Sequence, residues 1–242
     1  MEKMVLEVKE VTKKVKDRTL IDHLSFQIEE KEICGFVGPN GSGKTTLIRM
    51  IMGLIKPTSG EIYINGSSVR ENRGSALRHV GAIVESPIFF PYMSGRKNLI
   101  NLGRITMKTS GDVLKKKVEE VLKIVGLESR ANDSVGTYSL GMKQRLGIAQ
   151  ALLGDPTFII LDEPSNGLDP VGIQQLRKII LQLNKEKNIT FFVSSHLIRE
   201  LELICSSWIM INDGKLVWKG KTDGLRGNDK DLEEVFVEMM TQ

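Results

Sequence analysis

The residues from Gly38 to Thr46 have the types and the spacing needed to hold phosphate. They read Gly-Pro-Asn-Gly-Ser-Gly-Lys-Thr-Thr and fit the pattern G-x-x-x-x-G-K-[ST]. Glycines allow a tight turn whose backbone N–H groups point inward at phosphate oxygens. In this pattern Lys44 reaches the β- and γ-phosphates, and the hydroxyl of Thr45 is placed to ligate Mg²⁺. The whole loop is predicted to contact nucleotide: Gly38, Pro39, Asn40, Gly41, Ser42, Gly43, Lys44, Thr45 and Thr46.

The sequence on either side of this loop has the order that its chemistry requires. Residues 33–37 (Ile-Cys-Gly-Phe-Val) are typical of a buried strand, and apolar residues recur at helical spacing from Leu47 to Ile55. A helix that begins at the loop adds the positive end of its dipole to the anion site. An ordinary glycine-rich turn, the alternative, does not need this strand–loop–helix order. The sequence therefore predicts binding of a nucleoside triphosphate.

A second pair of residues could take part in the same chemistry. Asp162 and Glu163 follow the apolar run of residues 157–161, Thr-Phe-Ile-Ile-Leu. A strand end beside a phosphate loop can offer one carboxylate to Mg²⁺ and another to a water molecule, and phosphoryl transfer needs neutralised charge and an oriented nucleophile. The alternative is a solvated turn. The apolar run before the pair and the phosphate loop upstream favour the metal and water roles.

The elements that must position these residues include both strands and hairpins. Residues 4–11 and 20–28 alternate apolar and polar positions, as half-buried antiparallel strands do. Asn65-Gly66 and Asp213-Gly214 each lie between strand-like runs and are strong hairpin-turn signals. The first of these hairpins belongs with a small β layer around the phosphate loop.

Further along the chain the pattern predicts a helical insert between buried strands. Residues 80–84 and 190–194 are apolar runs like residues 157–161. Residues of about 90–150 are predicted to be a helical insert: the pattern is helical from Gly95 to Gly126, Asp112 can help cap its start, and Gly126 fits the stop. Asp169-Pro170 is a cap followed by a first-turn proline, and a last helix is predicted over residues 231–240.

Composition limits the class of protein. The 242 residues suit one domain, or one core with a subdomain, and 40% hydrophobic and 26% charged residues are ordinary for a globular protein. A net charge of +4 is most simply explained by lysines scattered over solvated faces. Cys34 and Cys205 lie in apolar surroundings, which predicts buried free thiols in a reducing compartment. No apolar run spans a bilayer and the N-terminus lacks a signal-peptide core, so we expect a cytosolic protein, or one that reaches a membrane through a partner.

Five motifs in a fixed order resemble the ATP-binding subunit of an ABC transporter, over nearly the whole chain. The motifs of that family correspond to Gly38–Thr45 (Walker A), Tyr138–Met142 (signature), Phe158–Asp162 with Glu163 next (Walker B), Ser165–Asp169 (D-loop) and His196 (switch histidine). The resemblance implies an α/β fold: a P-loop NTPase core with a mostly parallel sheet, an antiparallel β subdomain and an inserted α-helical subdomain. The nucleotide-binding domain would cover residues 1–220, with the helical subdomain at about 90–150 and a helical tail at 221–242.

The resemblance also implies a head-to-tail dimer that holds two ATP molecules between its subunits. Lys44 and Thr45 of one protomer would face Ser139 and Gly141 of the other, so that the serine and a helix N-terminus donate to the γ-phosphate. Asp169 would act across the same interface. Whether the partner is a second copy or a paralogue is left open by the sequence, with a homodimer preferred.

Catalytic roles follow from the same resemblance. Glu163 would polarise the attacking water, and His196 would contact the γ-phosphate. Asp162 and Thr45 would hold Mg²⁺. A lone histidine after a strand is often a structural residue, but the Ser-Ser-His context favours the functional role.

The sequence departs from the family pattern in three places. The signature, usually Leu-Ser-Gly-Gly-Gln, is Tyr-Ser-Leu-Gly-Met here, with Leu140 in place of a glycine. The segment that usually stacks an aromatic residue on adenine has Val15, which offers only aliphatic contact. Glu85 replaces the glutamine that usually reaches Mg²⁺ and the lytic water. A carboxylate near a γ-phosphate is repelled unless Mg²⁺ lies between them. Glu85 is therefore predicted to be a metal-linked sensor; the alternative is that it turns into solvent.

Glu85 and the apolar segment after it are similar to those of the bacitracin-resistance and lantibiotic-immunity exporters, as is the tail at 232–236. The resemblance implies a separate integral membrane permease that docks on residues 87–92, export of a peptide antibiotic or similar amphipathic compound, and a place on the cytoplasmic face of the membrane. No nucleic acid partner is expected. The alternatives are a P-loop kinase, in which the signature has no place, and a regulatory or nucleic-acid-associated ABC ATPase.

Overall fold

Two β-sheets form the framework of the protein in the computed structural model, which describes residues 3–107, 109, 111–225, 234, 236 and 238. The strands in the described residues are β1 (Met4–Val15), β2 (Arg18–Glu29), β3 (Ile33–Val37), β4 (Ser59–Ile64), β5 (Ser67–Ser68), β6 (Val80–Ile83), β7 (Phe158–Leu161), β8 (Thr190–Ser195), β9 (Ser207–Asn212) and β10 (Lys215–Lys221). The helices are α1 (Lys44–Ile51), α2 (Arg73–Ala76), α3 (Gly95–Thr106), α4 (Asp112–Ile124), α5 (Leu140–Ala151), α6 (Pro170–Lys187), α7 (Ile198–Glu202) and α8 (Thr222–Leu225).

The larger sheet has the strand order β10-β9-β3-β8-β7-β6 and is parallel except for the β9–β10 pair. All residues of β3, β7 and β8 are buried, as expected for parallel strands covered on both faces. The mostly parallel sheet predicted for the core is confirmed. Because β3, β7 and β8 run in the same direction, their carboxyl ends meet at one edge, where ligands bind in open α/β sheets.

The smaller sheet is antiparallel, with the order β2-β1-β4-β5, and confirms the predicted β subdomain. Both hairpin turns also occur where predicted. Asn65-Gly66 and Asp213-Gly214 have positive φ at both positions (48° and 74°, then 43° and 75°), which type I′ turns require. The second turn has an additional contact, since Gly214 N donates to Ser42 O at 3.0 Å.

The space between the two sheets is filled by aromatic and aliphatic side chains. Phe36 of β3 stacks on Phe192 of β8 with ring centroids 4.9 Å apart, and Phe26 of β2 packs against both rings. The residues of α1 on this side, Leu47, Ile48, Met50 and Ile51, are buried in the same cluster. The helix that follows the phosphate loop is therefore clamped between the sheets.

The inserted helices lie between β6 and β7 in the chain and pack on the other face of the large sheet. The stretch from Gly95 to Gly126, predicted to be helical, forms two helices, α3 and α4. They are separate because the chain turns at Gly111, whose φ is +72°. Gly126 ends α4 with φ +63°, as predicted. The limits of about 90–150 for the subdomain stay a prediction.

The two cysteines are buried on opposite faces of the large sheet and are free. Cys34 belongs to the cluster between the sheets and Cys205 to the cluster under the helices. Burial raises the pKa of both thiols above their ordinary range, so both stay protonated at neutral pH. The prediction of buried free thiols is confirmed.

Two sequence predictions concern the tail and the membrane. The helix predicted over residues 231–240 lies mostly outside the described residues, which here are 234, 236 and 238; Phe236 packs against the cluster under the helices. Within the described part of the chain, no helix is long and apolar enough to cross a membrane.

Candidate nucleotide site

The loop between β3 and α1 has the shape predicted for a phosphate cradle. Gly41 and Gly43 have φ of +82° and +105°, in the region that side chains with a Cβ avoid. A Cβ on Gly43 would lie 2.6 Å from Ile21 Cδ1, and one on Gly38 would lie 2.4 Å from Ile211 O. Glycine is therefore required at these positions by backbone conformation and by close packing.

Lys44 is the buried cation at the centre of this loop, with a side chain that is 6% exposed. Its Nζ donates to Gly38 O at 2.7 Å and to Pro39 O at 3.1 Å, and lies 3.3 Å from Glu163 Oε1. The ammonium is thus held across the loop, with a carboxylate on its other side. Burial and these oxygens keep the charge in one place, as recognition of a triphosphate requires.

A cavity of about 390 Å³ opens beside the loop, in the size range of small-molecule sites. It is lined by Leu20, Asn40, Gly41, Gly43, Lys44, Thr45, Thr46, Glu163, Asn166 and His196. The structure therefore brings the phosphate loop together with both predicted catalytic residues. Leu20 and Asn166 were not predicted as site residues. Leu20 lies far before Gly43 in the chain, and only the fold brings its carbonyl oxygen to within 2.8 Å of where a Gly43 Cβ would be.

Glu163 follows β7 and is held on several sides. Its backbone has φ +47°, and its N–H donates to Ser194 Oγ at 2.8 Å. One carboxylate oxygen faces Lys44, and the other accepts a hydrogen bond from His196 Nδ1 at 2.7 Å. Since an ionised carboxylate can only accept, the imidazole proton lies on Nδ1 in this pair. The arrangement fixes both the position of Glu163 and the tautomer of His196.

Asp162 is almost fully buried, and the same serine holds it. Asp162 Oδ1 accepts from Ser194 Oγ at 2.7 Å, so one hydroxyl on β8 connects Asp162 with the backbone of Glu163. Ser194 was not among the predicted site residues. Its sequence signals are its place directly after the apolar run Phe191–Val193 of β8 and its place in the Ser-Ser-His context. It orients the carboxylate pair.

The donors near the loop suit Mg²⁺ held together with a nucleotide. Thr45 and Asp162 supply hard oxygen atoms, whereas the described residues contain no group of three or more His, Cys, Asp or Glu side chains that could hold a metal alone. Mg²⁺ is usually bound by one or two protein oxygens plus substrate phosphates and water. Ser42 Oγ is buried without a hydrogen-bond partner among the described residues, but Ser42 is not among the residues that line the cavity.

Glu85 lies outside the residues that line this cavity. It follows β6, has φ +66°, and forms an ion pair with Arg49 of α1. Its side chain is 58% exposed and that of Arg49 is 43% exposed. The role of Glu85 as a metal-linked sensor stays a prediction, and Arg49 is a contact that the sequence analysis did not find.

The three remaining predicted residues, Ser139, Gly141 and Asp169, lie at the starts of helices and do not line the cavity. Ser139 Oγ accepts from Met142 N at 3.2 Å and caps α5, and Asp169 Oδ1 accepts from Gly172 N at 2.7 Å and caps α6. The cap-and-proline start predicted for α6 is confirmed. Gly141 lies near Leu168, since a Cβ on this glycine would be 3.9 Å from Leu168 Cδ2. The cavity of the same chain includes none of Ser139, Gly141 and Asp169.

Comparison with known proteins gives consistent results. The family model described as ABC transporter matches residues 21–166. The chain is 49% identical to the uncharacterized ABC transporter ATP-binding protein YhcH of Bacillus subtilis, over 89% of this chain and 69% of that protein. It is 45% identical to the bacitracin transport ATP-binding protein BcrA of Bacillus licheniformis (93% and 72%), and 35% identical to the lantibiotic transport ATP-binding protein SrtF of Streptococcus pyogenes (96% and 96%).

Solved structures show the same fold. CbiO1 of Clostridium perfringens, part of the ABC transporter complex cbiONQ, superposes with a TM-score of 0.83 at 28% identity, over 99% of this chain and 93% of that one. The dimeric ATP-binding cassette MJ0796 in a post-hydrolysis state, bound to ADP and Pi, has a TM-score of 0.80 at 28% identity, over 92% and 100%.

Proposed function

The chain belongs to the ABC transporter family of ATP-binding proteins, and we propose that it powers a separate membrane permease that exports a peptide antibiotic or a similar amphipathic compound. It is an ATPase subunit. The choice of cargo is supported by the bacitracin and lantibiotic transport proteins to which the chain is similar over 93% and 96% of its length. The place of action is the cytoplasmic face of the membrane, with contact through the permease.

The observation that carries the hydrolytic role is the position of Glu163 between Lys44 and His196 at the edge of the cavity. A carboxylate fixed on two sides can orient and polarise a water molecule without losing entropy at the moment of reaction. His196 keeps Glu163 in this position through Nδ1 and contacts the γ-phosphate. Lys44 and the backbone N–H groups of the loop bind the β- and γ-phosphates.

Magnesium is the metal that these residues fit. Thr45 and Asp162 would hold it, and the metal would supply neutralisation of the charge that develops on the phosphate oxygens. Ser194 has a positioning role in this site, because its hydroxyl keeps the carboxylate of Asp162 and the backbone of Glu163 in a fixed relation.

The functional unit is a homodimer with two nucleotides between the protomers. Ser139, Gly141 and Asp169 support this, because they lie outside the cavity of their own chain. Ser139 caps the N-terminus of the twelve-residue helix α5, whose dipole favours an anion. In the dimer, Ser139 and Gly141 meet the γ-phosphate that the partner's loop holds. ATP binding favours the closed dimer, which shifts the permease between states, and hydrolysis resets it.

The permease docks on the segment after Glu85. Ile88 and Tyr92 are 88% and 73% exposed, and Phe90 stands against Tyr92 with ring centroids 5.9 Å apart. A cluster of exposed apolar side chains of this kind marks an interaction site. Asn98 of α3 holds the segment in shape, since its side chain bonds both backbone groups of Phe90.

The docking surface is tested with the double variant Ile88→Asp, Tyr92→Asp. We expect loss of co-purification with a multispanning membrane protein and loss of resistance to bacitracin or a lantibiotic in cells. The ATP affinity of the isolated subunit should stay within about twofold of the parent chain, because neither residue lines the cavity. The matched control is Val113→Asp on α4, an apolar residue with a similar exposure of 63%, which should leave permease binding intact.

A different outcome would reject the transport role. If the tagged chain co-purifies with ribosomes or DNA and leaves membrane proteins behind, it is a regulatory or nucleic-acid-associated ATPase. If permease binding survives the double aspartate variant, the permease docks elsewhere.

A further inference from the structure

One face of α1 carries both the predicted metal ligand and the partner of Glu85. Arg49 follows Thr45 by four residues, and residues four apart lie on the same helix face. The separation along the helix is about one turn, or roughly 5.4 Å. Thr45 lines the nucleotide cavity, and Arg49 lies one turn further from the phosphate loop. The face therefore offers two neighbouring places for a carboxylate: Arg49, and a metal ion at Thr45.

Glu85 is placed beside this face by a segment that is anchored at both ends. Before it, β6 pairs with β7, and Asp162 N donates to Ile83 O at 2.9 Å. After it, Pro87 packs on α5, since a Cβ on Gly147 would lie only 2.9 Å from Pro87 Cβ. The segment cannot move far, so the carboxylate changes partner mainly by rotation of the Glu85 side chain.

The ion pair between Glu85 and Arg49 is weak enough for Glu85 to exchange it for another cation. Both side chains are more than two-fifths exposed, and an ion pair in such a position shifts an equilibrium by about fivefold at most. A carboxylate brought next to a γ-phosphate needs a cation between them. Glu85 therefore has a cation available on each side, the guanidinium of Arg49 or the metal of a bound nucleotide, and the first is weak enough to give way.

We propose that Arg49 is a positioning residue that competes with the magnesium–nucleotide complex for Glu85. When nucleotide binds, Glu85 exchanges its ion pair with Arg49 for the metal, so that Arg49 sets the magnesium concentration at which the site responds. The inference rests on the proposed magnesium site at Thr45 and Asp162, and adds to it a residue that contacts neither nucleotide nor metal.

The test measures magnesium dependence of nucleotide binding, without turnover. The chain carries Glu163→Gln to block hydrolysis, and binding of a fluorescent ribose-labelled ATP analogue is titrated with Mg²⁺. Arg49→Gln should lower the half-saturating Mg²⁺ concentration about two- to fivefold, because a competitor for Glu85 is removed. In a chain that also carries Glu85→Gln, the same Arg49→Gln change should shift it by less than about 1.5-fold, because neutral glutamine has little ion pairing to lose.

Two controls separate this role from a structural one. Arg70→Gln removes an exposed arginine whose partner, Glu61, is 3.8 Å away on the smaller sheet, and should leave the half-saturating Mg²⁺ concentration unchanged. Arg49→Lys keeps the charge and should stay within about twofold of the parent chain.

The outcomes distinguish this inference from the proposed function. Equal shifts with and without Glu85→Gln, or no shift on Arg49→Gln while Mg²⁺ still promotes binding, would overturn the competition and leave the nucleotide site intact. Nucleotide binding by the Glu163→Gln chain that does not respond to Mg²⁺ would instead overturn the magnesium site itself.

Discussion

Glu163 and Glu85 occupy equivalent places at the ends of two paired strands and have different surroundings. β7 and β6 pair in parallel, with Leu161 opposite Ile83, and each glutamate comes two residues after its strand. Both have positive φ, +47° and +66°. Glu163 is 20% exposed and lies between the buried Lys44 and His196, whereas Glu85 is 58% exposed and has the exposed Arg49 as its ion-pair partner.

The difference teaches that burial decides what a glutamate at a strand end can do. Charge interactions strengthen as water is excluded, which suits the proposed role of Glu163 in orienting a water molecule. An exposed pair is weakened by solvent and by salt, which suits the proposed exchange of partners by Glu85. The same residue type in the same local geometry is held between two partners after one strand and is exposed beside one partner after the next.

The largest expected effect comes from Glu163. Glu163→Gln should lower the rate of ATP hydrolysis by about 10²- to 10⁴-fold, the usual contribution of a positioned general base. Nucleotide binding is retained because the phosphate loop is unchanged, and the variant should elute as an ATP-dependent dimer on a sizing column. Phosphate release measures the rate. Glu85→Gln is the matched substitution at the exposed position, and its rate should fall far less; equal losses would mean that the two glutamates do not differ as described.

Removing the Ser194 hydroxyl tests whether this group holds Asp162 and Glu163 in position. Ser194→Ala leaves Asp162 and the backbone N–H of Glu163 without a buried partner, which should cost about 1–3 kcal/mol of unfolding free energy. Urea unfolding measures this loss, which should persist in high salt. Ser25→Ala is the control: its half-buried hydroxyl also bonds a backbone N–H and a carboxylate, both of Glu10, in a more exposed setting, and its loss should cost less than that of Ser194. A Ser194→Ala chain as stable as the parent would show that the serine does not hold the pair.

Val15, where the family resemblance expects contact with adenine, extends the comparison to a residue that does not line the cavity. The side chain of Val15 is half-exposed. Among the described residues, Leu20 has the only apolar side chain that lines the cavity. Binding should therefore depend on the triphosphate more than on the base, with ATP and GTP affinities within about threefold. Val15→Tyr should tighten ATP binding by about two- to tenfold, the size of one aromatic stacking contact. Calorimetric titration with both nucleotides checks this, and Val113→Tyr on α4 is the control.

The smallest effect is expected from the exposed ion pair. Arg49→Gln should lower the unfolding free energy by about 0.2–1 kcal/mol at low ionic strength. The loss should vanish in 1 M salt, where the screening length is about 3 Å. Urea unfolding at both salt concentrations makes the measurement. A loss that persists in high salt would place the Arg49–Glu85 pair in the same class as the buried contacts of Glu163.

Features that depend on neighbouring residues were predictable from the sequence. The turns at Asn65-Gly66 and Asp213-Gly214 need positive φ at adjacent positions, and the cap at Asp169 contacts an N–H three residues away. The phosphate loop is also local, because its glycines, Lys44 and Thr45 lie within eight positions of Gly38. The helical stretch from Gly95 to Gly126 was predicted less well, because it is divided: α3 ends at Thr106, and α4 begins at Asp112 after the turn at Gly111.

Contacts between distant parts of the chain required the fold. His196 meets Glu163 across 33 residues, and Glu85 meets Arg49 across 36. Leu20 lies in none of the motifs, and Asn166 and Ser194 lie in motifs (the D-loop and Ser-Ser-His) from which other residues were predicted as site residues. The sequence by itself determined the chemical groups and the local turns that carry them, because backbone conformation at glycine, proline and capping residues is a short-range property. Only the tertiary structure decided which glutamate is buried beside Lys44 and which is left exposed beside Arg49, because burial depends on how parallel strands from distant segments align.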